Sequence, residues 1–168
     1  MKQFLPVLLL ILASCSHSYY VVRHAEKEGQ SMGTGSMMTN DPPLSKAGNE
    51  RAIALRELLK NKKIRYVFST NTIRTKTTAQ PTSDYFKIGI ESYGPVPDAA
   101  FISKLRSLRK NVLIVGHSNT VDDIINMLCN KKEIPGDLKD SEYDNLFIVR
   151  KKGNHYVFSV KHYGAPAQ

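Results

Sequence analysis

Tyr19-Tyr20-Val21-Val22-Arg23-His24 is the stretch on which the prediction of the fold depends. Its first four residues are aromatic or β-branched and predict a buried strand, which ends where the polar pair Arg23-His24 begins. A second run, Val112-Leu113-Ile114-Val115, ends in the same way at Gly116-His117-Ser118. Because this run is apolar throughout, we expect a central strand that is covered on both faces. The two stretches predict a sheet with a histidine just beyond the end of each strand.

Strand-like and helix-like segments alternate along the rest of the chain, which is typical of an α/β fold. Helices are predicted at about 45–61, 72–86, 98–109 and 120–129, with Ser45 and Asp98 as caps of the first and third. Further strands are predicted at 65–68 and 89–92, and a β-hairpin at 146–150 and 155–161. The sequence therefore predicts a three-layer α/β sandwich, with a mostly parallel central sheet, helices on both faces and a C-terminal β-hairpin.

The first residues of the chain have the features of a targeting segment. Lys2 precedes an apolar run at 4–13, which is shorter than the roughly 20 residues that a helix needs to span a bilayer. Leu12-Ala13-Ser14-Cys15 resembles the bacterial lipobox. We therefore expect a lipoprotein-type signal peptide at 1–14, lipidation of Cys15, and a membrane-anchored domain at 15–168 that faces outside the cytoplasm, in the periplasm or at the cell surface. An ordinary secretory signal cleaved near Ser14 or Ser16 is the alternative.

The second cysteine, Cys129, lies in an apolar stretch and is interpreted as a small buried side chain. A Cys15–Cys129 disulfide is the competing interpretation for an oxidising compartment. The formal net charge of the 168-residue chain is +9. Its cations are dispersed and few aromatic residues lie between them, so we expect no nucleic-acid partner. The oligomeric state is left open.

Three predicted strands end in residues that can bind an anion. Arg23-His24 and His117 follow two of them, and the third, at 65–68, leads into a helix that carries Arg74. Ligands bind at the carboxyl ends of strands in open α/β sheets, so these side chains are expected to meet in one crevice. No spacing of histidine, cysteine and aspartate indicates a metal site, and neither a metal nor a cofactor is expected.

Four ordered segments resemble motifs of the histidine phosphatase superfamily, the phosphoglycerate mutase-like proteins. They are 21–26, which resembles the Arg-His-Gly/Ala motif; 43–48, which is similar to the Leu-Ser/Thr-x-x-Gly helix start; 69–79, which resembles the segment with the second arginine; and 115–118, which resembles the second histidine motif. The resemblance extends over nearly the whole chain after the leader. It implies a phosphatase that acts on a small phosphorylated substrate, with His24 as the nucleophile and Arg23, Arg74 and His117 as phosphate ligands.

The predicted chemistry suits these residue types. A neutral His24 can attack phosphorus and form a phosphohistidine, while arginine binds two phosphate oxygens at once. A carboxylic acid is expected to protonate the leaving oxygen. The resemblance suggests Asp98, for which a plain helix cap is the alternative, and Glu26 is a second candidate beside the nucleophile. The remaining histidines, His17, His155 and His162, are interpreted as surface residues.

Two other functions compete with this prediction. Gly116-His117-Ser118-Asn119-Thr120 begins like the nucleophile elbow of a serine hydrolase, but Thr120 replaces the small fifth residue. A non-catalytic module that binds a phosphorylated ligand could use the same pocket. Within the family, the 43 positions from Arg74 to His117 leave little room for a lid that shields a phosphoenzyme from water, which favours a phosphatase over a mutase.

Overall fold

The computed structural model of the protein describes residues 16–29 and 41–167. The predicted leader and Cys15 lie outside these residues. The elements are β1 (His17–Arg23), α1 (Lys46–Leu59), β2 (Ile64–Ser69), α2 (Ile73–Phe86), β3 (Ile90–Ser92), α3 (Ala99–Leu108), β4 (Asn111–Gly116), α4 (Val121–Cys129), β5 (Asn145–Lys152) and β6 (His155–His162).

One sheet of six strands forms the centre of the fold, in the order β3-β2-β4-β1-β5-β6. The first four strands in this order are parallel, and β5 and β6 add an antiparallel hairpin beside β1. β4 and β1 are neighbours at the middle of the sheet. The predicted α/β sandwich with a mostly parallel sheet and a C-terminal hairpin is confirmed.

Two apolar cores lie on opposite faces of the sheet, because alternate side chains of each strand point to opposite sides. Tyr19 and Val21 of β1 pack with residues of α3 and α4, whereas Tyr20 and Val22 pack with α1 and α2. β4 is buried from Val112 to Gly116, as its apolar sequence predicts. The helices therefore form two outer layers and leave the ends of the strands free to carry a site.

Three helices begin at residues whose side chains accept a backbone N–H from the first turn. Ser45 accepts from Gly48 at 3.1 Å, Thr72 from Thr75 at 3.4 Å and Asp98 from Phe101 at 2.7 Å. Each cap satisfies an N–H that has no partner within its helix. The predicted caps Ser45 and Asp98 are confirmed.

Several details differ from the predictions. Five strands extend one to three residues beyond the predicted runs, because ladder hydrogen bonds continue past the apolar side chains, whereas β3 begins one residue later than predicted. His17 is buried with 8% exposure, so its interpretation as a surface residue was wrong; its ring nitrogen meets the Tyr19 hydroxyl at 3.0 Å. His155 and His162 are exposed, as predicted. Within 16–29 and 41–167, no helix is long and apolar enough to cross a bilayer.

Candidate active site

Adjacent strands place the two histidines side by side. Arg23 of β1 lies opposite Gly116 of β4, and the amide of His24 donates to the Gly116 carbonyl at 2.9 Å. The next residue on each strand is therefore a histidine at the carboxyl end of the sheet. The ring centres of His24 and His117 are 5.5 Å apart, with their planes at 66°. The structure thus brings the two predicted imidazoles into one site.

The hydrogen bonds of His24 fix its tautomer. Its Nδ1 lies 2.8 Å from the carbonyl oxygen of Ala25, and because a carbonyl only accepts, Nδ1 must carry the proton. In the neutral ring this leaves the lone pair on Nε2. Burial lowers the pKa of His24 to about 3, the bond to Ala25 opposes this shift, and the charges of Arg23 and Arg74 lower the pKa further. His24 is therefore neutral and nucleophilic at physiological pH.

His117 is held in the opposite tautomer. A terminal nitrogen of Arg74 lies 3.4 Å from Nδ1, and because guanidinium only donates, Nδ1 accepts. The proton is on Nε2, which donates to the Thr70 hydroxyl at 2.8 Å. Burial and then the charge of Arg74 lower the pKa of His117 to about 4. Thr70, at the end of β2, was not predicted as a site residue.

Arg74 is oriented by an aspartate that precedes α1. Asp41 accepts from Arg74 Nη1 at 3.0 Å and, with its other oxygen, from the amide of Ile73 at 2.6 Å. The carboxylate therefore lies at the start of α2, where the exposed amides of a helix favour an anion. Asp41 was not predicted as a site residue.

Arg23 is buried with 4% exposure and is held from the segment between α4 and β5. Its Nη1 donates to the carbonyl of Lys139 at 2.8 Å, and its guanidinium lies 4.3 Å from the ring centre of Tyr143. Asp140 forms a 3.3 Å ion pair with it through a fully exposed carboxylate. The Tyr143 ring also lies 6.0 Å from that of His24. Tyr143 therefore forms one wall of the site, and no pattern in the sequence predicted this.

Neither predicted acid contacts the histidines. Asp98 is exposed and caps α3, which was the alternative role, and no hydrogen bond among the described residues joins it to His24 or His117. Glu26 forms two 2.9 Å hydrogen bonds with Nε of Arg51. Burial alone would raise the pKa of Glu26, but the bond and charge of Arg51 outweigh it and hold this pKa below its usual value. Glu26 is therefore an ionised partner of Arg51.

The structure also bears on the predictions for Ser118, for Cys129 and for metal binding. The carbonyl of Ser118 accepts from the amide of Leu138 at 3.0 Å, but no histidine of the described chain is hydrogen-bonded to the Ser118 hydroxyl. The pair that a serine nucleophile needs is thus not formed there. Cys129 is half-buried rather than buried as predicted, and this partial burial raises the pKa of its thiol to about 11, which makes it unreactive. Residues 16–29 and 41–167 contain no cluster of three metal-ligating side chains.

Residues 19–93 match the model of the histidine phosphatase superfamily, branch 1. This segment contains β1 to β3 with Arg23, His24 and Arg74, whereas His117 lies beyond it. No curated protein matches the chain.

Solved structures match over nearly the full length of the domain. YhfR of Bacillus stearothermophilus is 15% identical, with a TM-score of 0.63 over 89% of this chain and 98% of that one. SixA of Agrobacterium tumefaciens, a candidate phosphohistidine phosphatase, is 17% identical, with a TM-score of 0.61 over 89% and 98%. A phosphoglycerate mutase of Bacillus anthracis is 16% identical, with a TM-score of 0.60 over 89% and 93%.

The fold is that of the histidine phosphatases. At these identities the structural likeness establishes architecture alone, and the family model adds support from sequence for the segment with the first histidine and both arginines. Both comparisons thus show that the chain is similar to the histidine phosphatase superfamily, in sequence over residues 19–93 and in fold over the domain. In this fold, the two histidines on adjacent strands of our chain lie at the carboxyl ends where ligands bind.

Proposed function

We propose that the protein is a phosphatase that hydrolyses a small phosphate monoester through a phosphohistidine on His24. One observation carries the proposal: the bond to the Ala25 carbonyl keeps the proton of His24 on Nδ1 and leaves a lone pair on Nε2. The ring centres of His24 and His117 lie 5.5 Å apart. Two buried or half-buried arginines, Arg23 and Arg74, lie around this pair. A neutral nucleophile among cations suits attack on an anionic phosphate.

In the first step, Nε2 of His24 attacks phosphorus in line with the leaving oxygen, and the phosphorus–oxygen bond breaks as the phosphorus–nitrogen bond forms. Charge on the transferring oxygens is balanced by Arg23 and Arg74. A bound dianion raises the pKa of His117, so that the ring takes up a proton and donates a hydrogen bond to these oxygens. Water then attacks the phosphohistidine, and free phosphate leaves with His24 neutral again.

The leaving oxygen must acquire a proton in the first step. We test Asp98 as the general acid that supplies this proton. If Asp98 is the general acid, Asp98→Asn should lower kcat about a hundredfold for alkyl phosphates but little for aryl phosphates, whose leaving groups are weak bases. If Asp98 only caps α3, Asn also caps well, and kcat should stay within about twofold for both substrate classes. Comparison of kcat across leaving groups of different pKa separates these roles.

The phosphatase proposal is tested by hydrolysis of an aryl phosphate and a panel of phosphorylated metabolites, with and without a chelator. We expect turnover that is independent of the chelator and that His24→Ala lowers at least a thousandfold. Rapid quench should reveal acid-labile phosphate on the intact protein only. His155→Ala, at an exposed histidine, and Ser118→Ala are the controls and should retain activity.

Absence of turnover with phosphate binding intact would instead identify a non-catalytic binding module. Loss of activity in Ser118→Ala would favour the serine hydrolase. Transfer of phosphate between substrates without release would identify a mutase rather than a phosphatase, against the inference from the short stretch between Arg74 and His117.

We also propose that the domain is a lipoprotein anchored through Cys15, on the basis of the lipobox-like sequence at 12–15. Mass spectrometry of the membrane fraction should identify an acylated cysteine as the mature N-terminus. Cys15→Ser should release the protein from membranes. A soluble mature chain that starts at another residue would contradict the anchor.

A further inference from the structure

Cations are concentrated at the end of the sheet opposite the histidines. The segments at this end are 60–63, 87–89, 109–110 and 130–133, together with the end of β5 and its turn at 150–154. They hold eleven of the 24 lysines and arginines and one carboxylate, Glu133. We call this surface the basic pole, and its cations are Lys60, Lys62, Lys63, Lys87, Arg109, Lys110, Lys131, Lys132, Arg150, Lys151 and Lys152.

Most of this charge is open to a partner. Ten of the eleven side chains are exposed, and Lys151 is half-buried. Among the described residues, two of the cations have carboxylate partners: Lys60 pairs with Glu57 at 2.9 Å and Lys131 with Glu133 at 3.3 Å. The basic pole therefore keeps a large positive charge.

The histidine end of the molecule has the opposite composition. Its connections, at 24–29, 41–45, 70–72, 93–98, 117–120 and 134–144, hold eight of the 15 carboxylates and two lysines. The two arginines of the site lie inside this acidic rim. An anionic surface would therefore attract the basic pole and repel the rim, so the charge asymmetry favours one orientation.

The chain enters the domain at the basic pole. β1 begins at His17, which lies opposite Lys151 in the sheet, and the amide of Ser18 donates to the Asn111 side chain at 2.8 Å. Asn111 follows Lys110 directly. Cys15, the residue proposed to carry lipid, precedes His17 by two positions, so an anchor there would bring the basic pole to the membrane.

Apolar side chains lie among the cations beside the pole. A groove of about 220 Å³ between α1 and the β5–β6 hairpin is lined by Lys62, Arg150, Lys152 and Lys161 and also by Leu58 and Val157. Cations around an apolar floor suit the headgroup region of a bilayer, where charge and hydrocarbon meet. Single-stranded nucleic acid would instead need exposed aromatic side chains on which bases stack, whereas Tyr20, the aromatic residue that lines this groove, is buried.

We propose that the basic pole binds the anionic face of a phospholipid bilayer and holds the histidine site away from it. The carboxyl ends of β1 and β4 would then face the aqueous compartment, where phosphorylated substrates diffuse. This interaction does not depend on catalysis, so it can fail or succeed independently of the proposed phosphatase activity.

The test uses the chain from residue 16, which contains every described strand and helix, so that no lipid anchor contributes. Sedimentation with vesicles should show binding to phosphatidylglycerol–phosphatidylcholine mixtures and not to pure phosphatidylcholine, with release in 0.5 M salt. The triple variant Lys62→Gln, Lys110→Gln, Lys152→Gln should weaken binding about a hundredfold, since each lysine near an anionic surface contributes about fivefold.

The matched control removes the same charge from the histidine end, by Lys27→Gln, Lys46→Gln and Lys76→Gln at exposed lysines. It should weaken vesicle binding by less than about threefold. Circular dichroism melts and aryl phosphate hydrolysis on both triples report folding and activity separately. Equal losses from the two triples, no preference for anionic vesicles, or tighter binding to DNA than to vesicles would each overturn the proposal.

Discussion

Single hydrogen bonds to groups that can only donate or only accept determine the state of both site histidines. The Ala25 carbonyl fixes the proton of His24 on Nδ1, and Arg74 with Thr70 fixes that of His117 on Nε2. The two rings therefore differ in what they can do. His24 has a free lone pair on Nε2, whereas both nitrogens of His117 are hydrogen-bonded.

Thr70 should be a positioning residue that acts through His117. Thr70→Val removes the acceptor for Nε2–H while keeping the shape, so we expect kcat to fall about tenfold with a smaller change in KM. Thr70→Ser retains the hydroxyl and should restore most of the activity. Steady-state kinetics on both variants are the measurement, and a Val variant as active as Ser would contradict the role.

Asp41 occupies donors of Arg74 and Ile73, and we predict that it competes there with phosphate. Asp41→Asn removes a negative charge beside the site, and we expect inorganic phosphate to inhibit the variant at a severalfold lower concentration. Glu28→Gln, which neutralises an exposed carboxylate of the same acidic rim, is the control and should change inhibition little. Weaker inhibition in the Asp41 variant would mean that this carboxylate holds Arg74 in place rather than competing.

The sequence predicted the residues at strand ends but not their partners. His24, His117 and Arg74 follow apolar runs, which are local signals. Thr70 contacts His117 across 47 positions of sequence and Tyr143 contacts Arg23 across 120, and such contacts depend on strand order and on loop paths. The acid assignment had no local signal beyond position in a family pattern. Within 16–29 and 41–167, Asp98 is hydrogen-bonded only to its own helix.

Among the elements, α2 is tied directly to the chain that follows β1. The Thr78 hydroxyl accepts from the amide of Ala25 at 2.9 Å and donates to the carbonyl of Arg74 at 2.7 Å. One side chain thus connects the residue after His24 to the turn of α2 that carries Arg74. The histidine and the arginine are held in register by this contact.

Loss of that contact should cost stability and activity together. Thr78→Val leaves the buried amide of Ala25 without an acceptor, so we expect the free energy of unfolding to fall by about 1–3 kcal/mol. Thr82→Val is a matched control one turn further along the same helix, because the buried Thr82 hydroxyl has no partner among the described residues. It should be neutral or stabilising. Urea denaturation of the two variants measures the difference, and equal losses would refute the assignment.

Helix starts could be predicted from sequence because caps are local. Ser45 and Asp98 each lie three positions before the amide that they bind. The order of the strands is different, since β1 pairs with β4 rather than with β2, and this pairing depends on which faces the helices cover. Residue patterns therefore predicted that the two histidines meet at the carboxyl ends of strands, but not that their strands are neighbours.

For the molecule as a whole, the buried histidines make stability depend on pH. The pKa values of His24 and His117, about 3 and about 4, lie below the ordinary value of 6.5. The unfolded chain therefore takes up protons as the pH falls below about 6.5, while the folded chain does not until about pH 4. Folding is favoured above pH 6.5, and this contribution is lost progressively as the pH falls.

We expect the free energy of unfolding to fall by about 1–2 kcal/mol per site histidine between pH 7 and pH 5. His24→Gln should flatten the pH dependence by one such increment, whereas His155→Gln, at an exposed residue, should leave its slope unchanged. Denaturant titrations at several pH values measure this. A slope that is identical in the intact protein and His24→Gln would show that His24 is not held neutral by the fold.

The bond from the His24 amide to the Gly116 carbonyl has a consequence for how such proteins diverge. It makes the separation of the two imidazoles a property of neighbouring main chains, which in any sheet lie about 4.8 Å apart. Side chains in both cores can be exchanged without altering that interval. Substitutions in the interior and in the loops could therefore change which substrate the site accepts, while the distance between the two imidazoles stays the same.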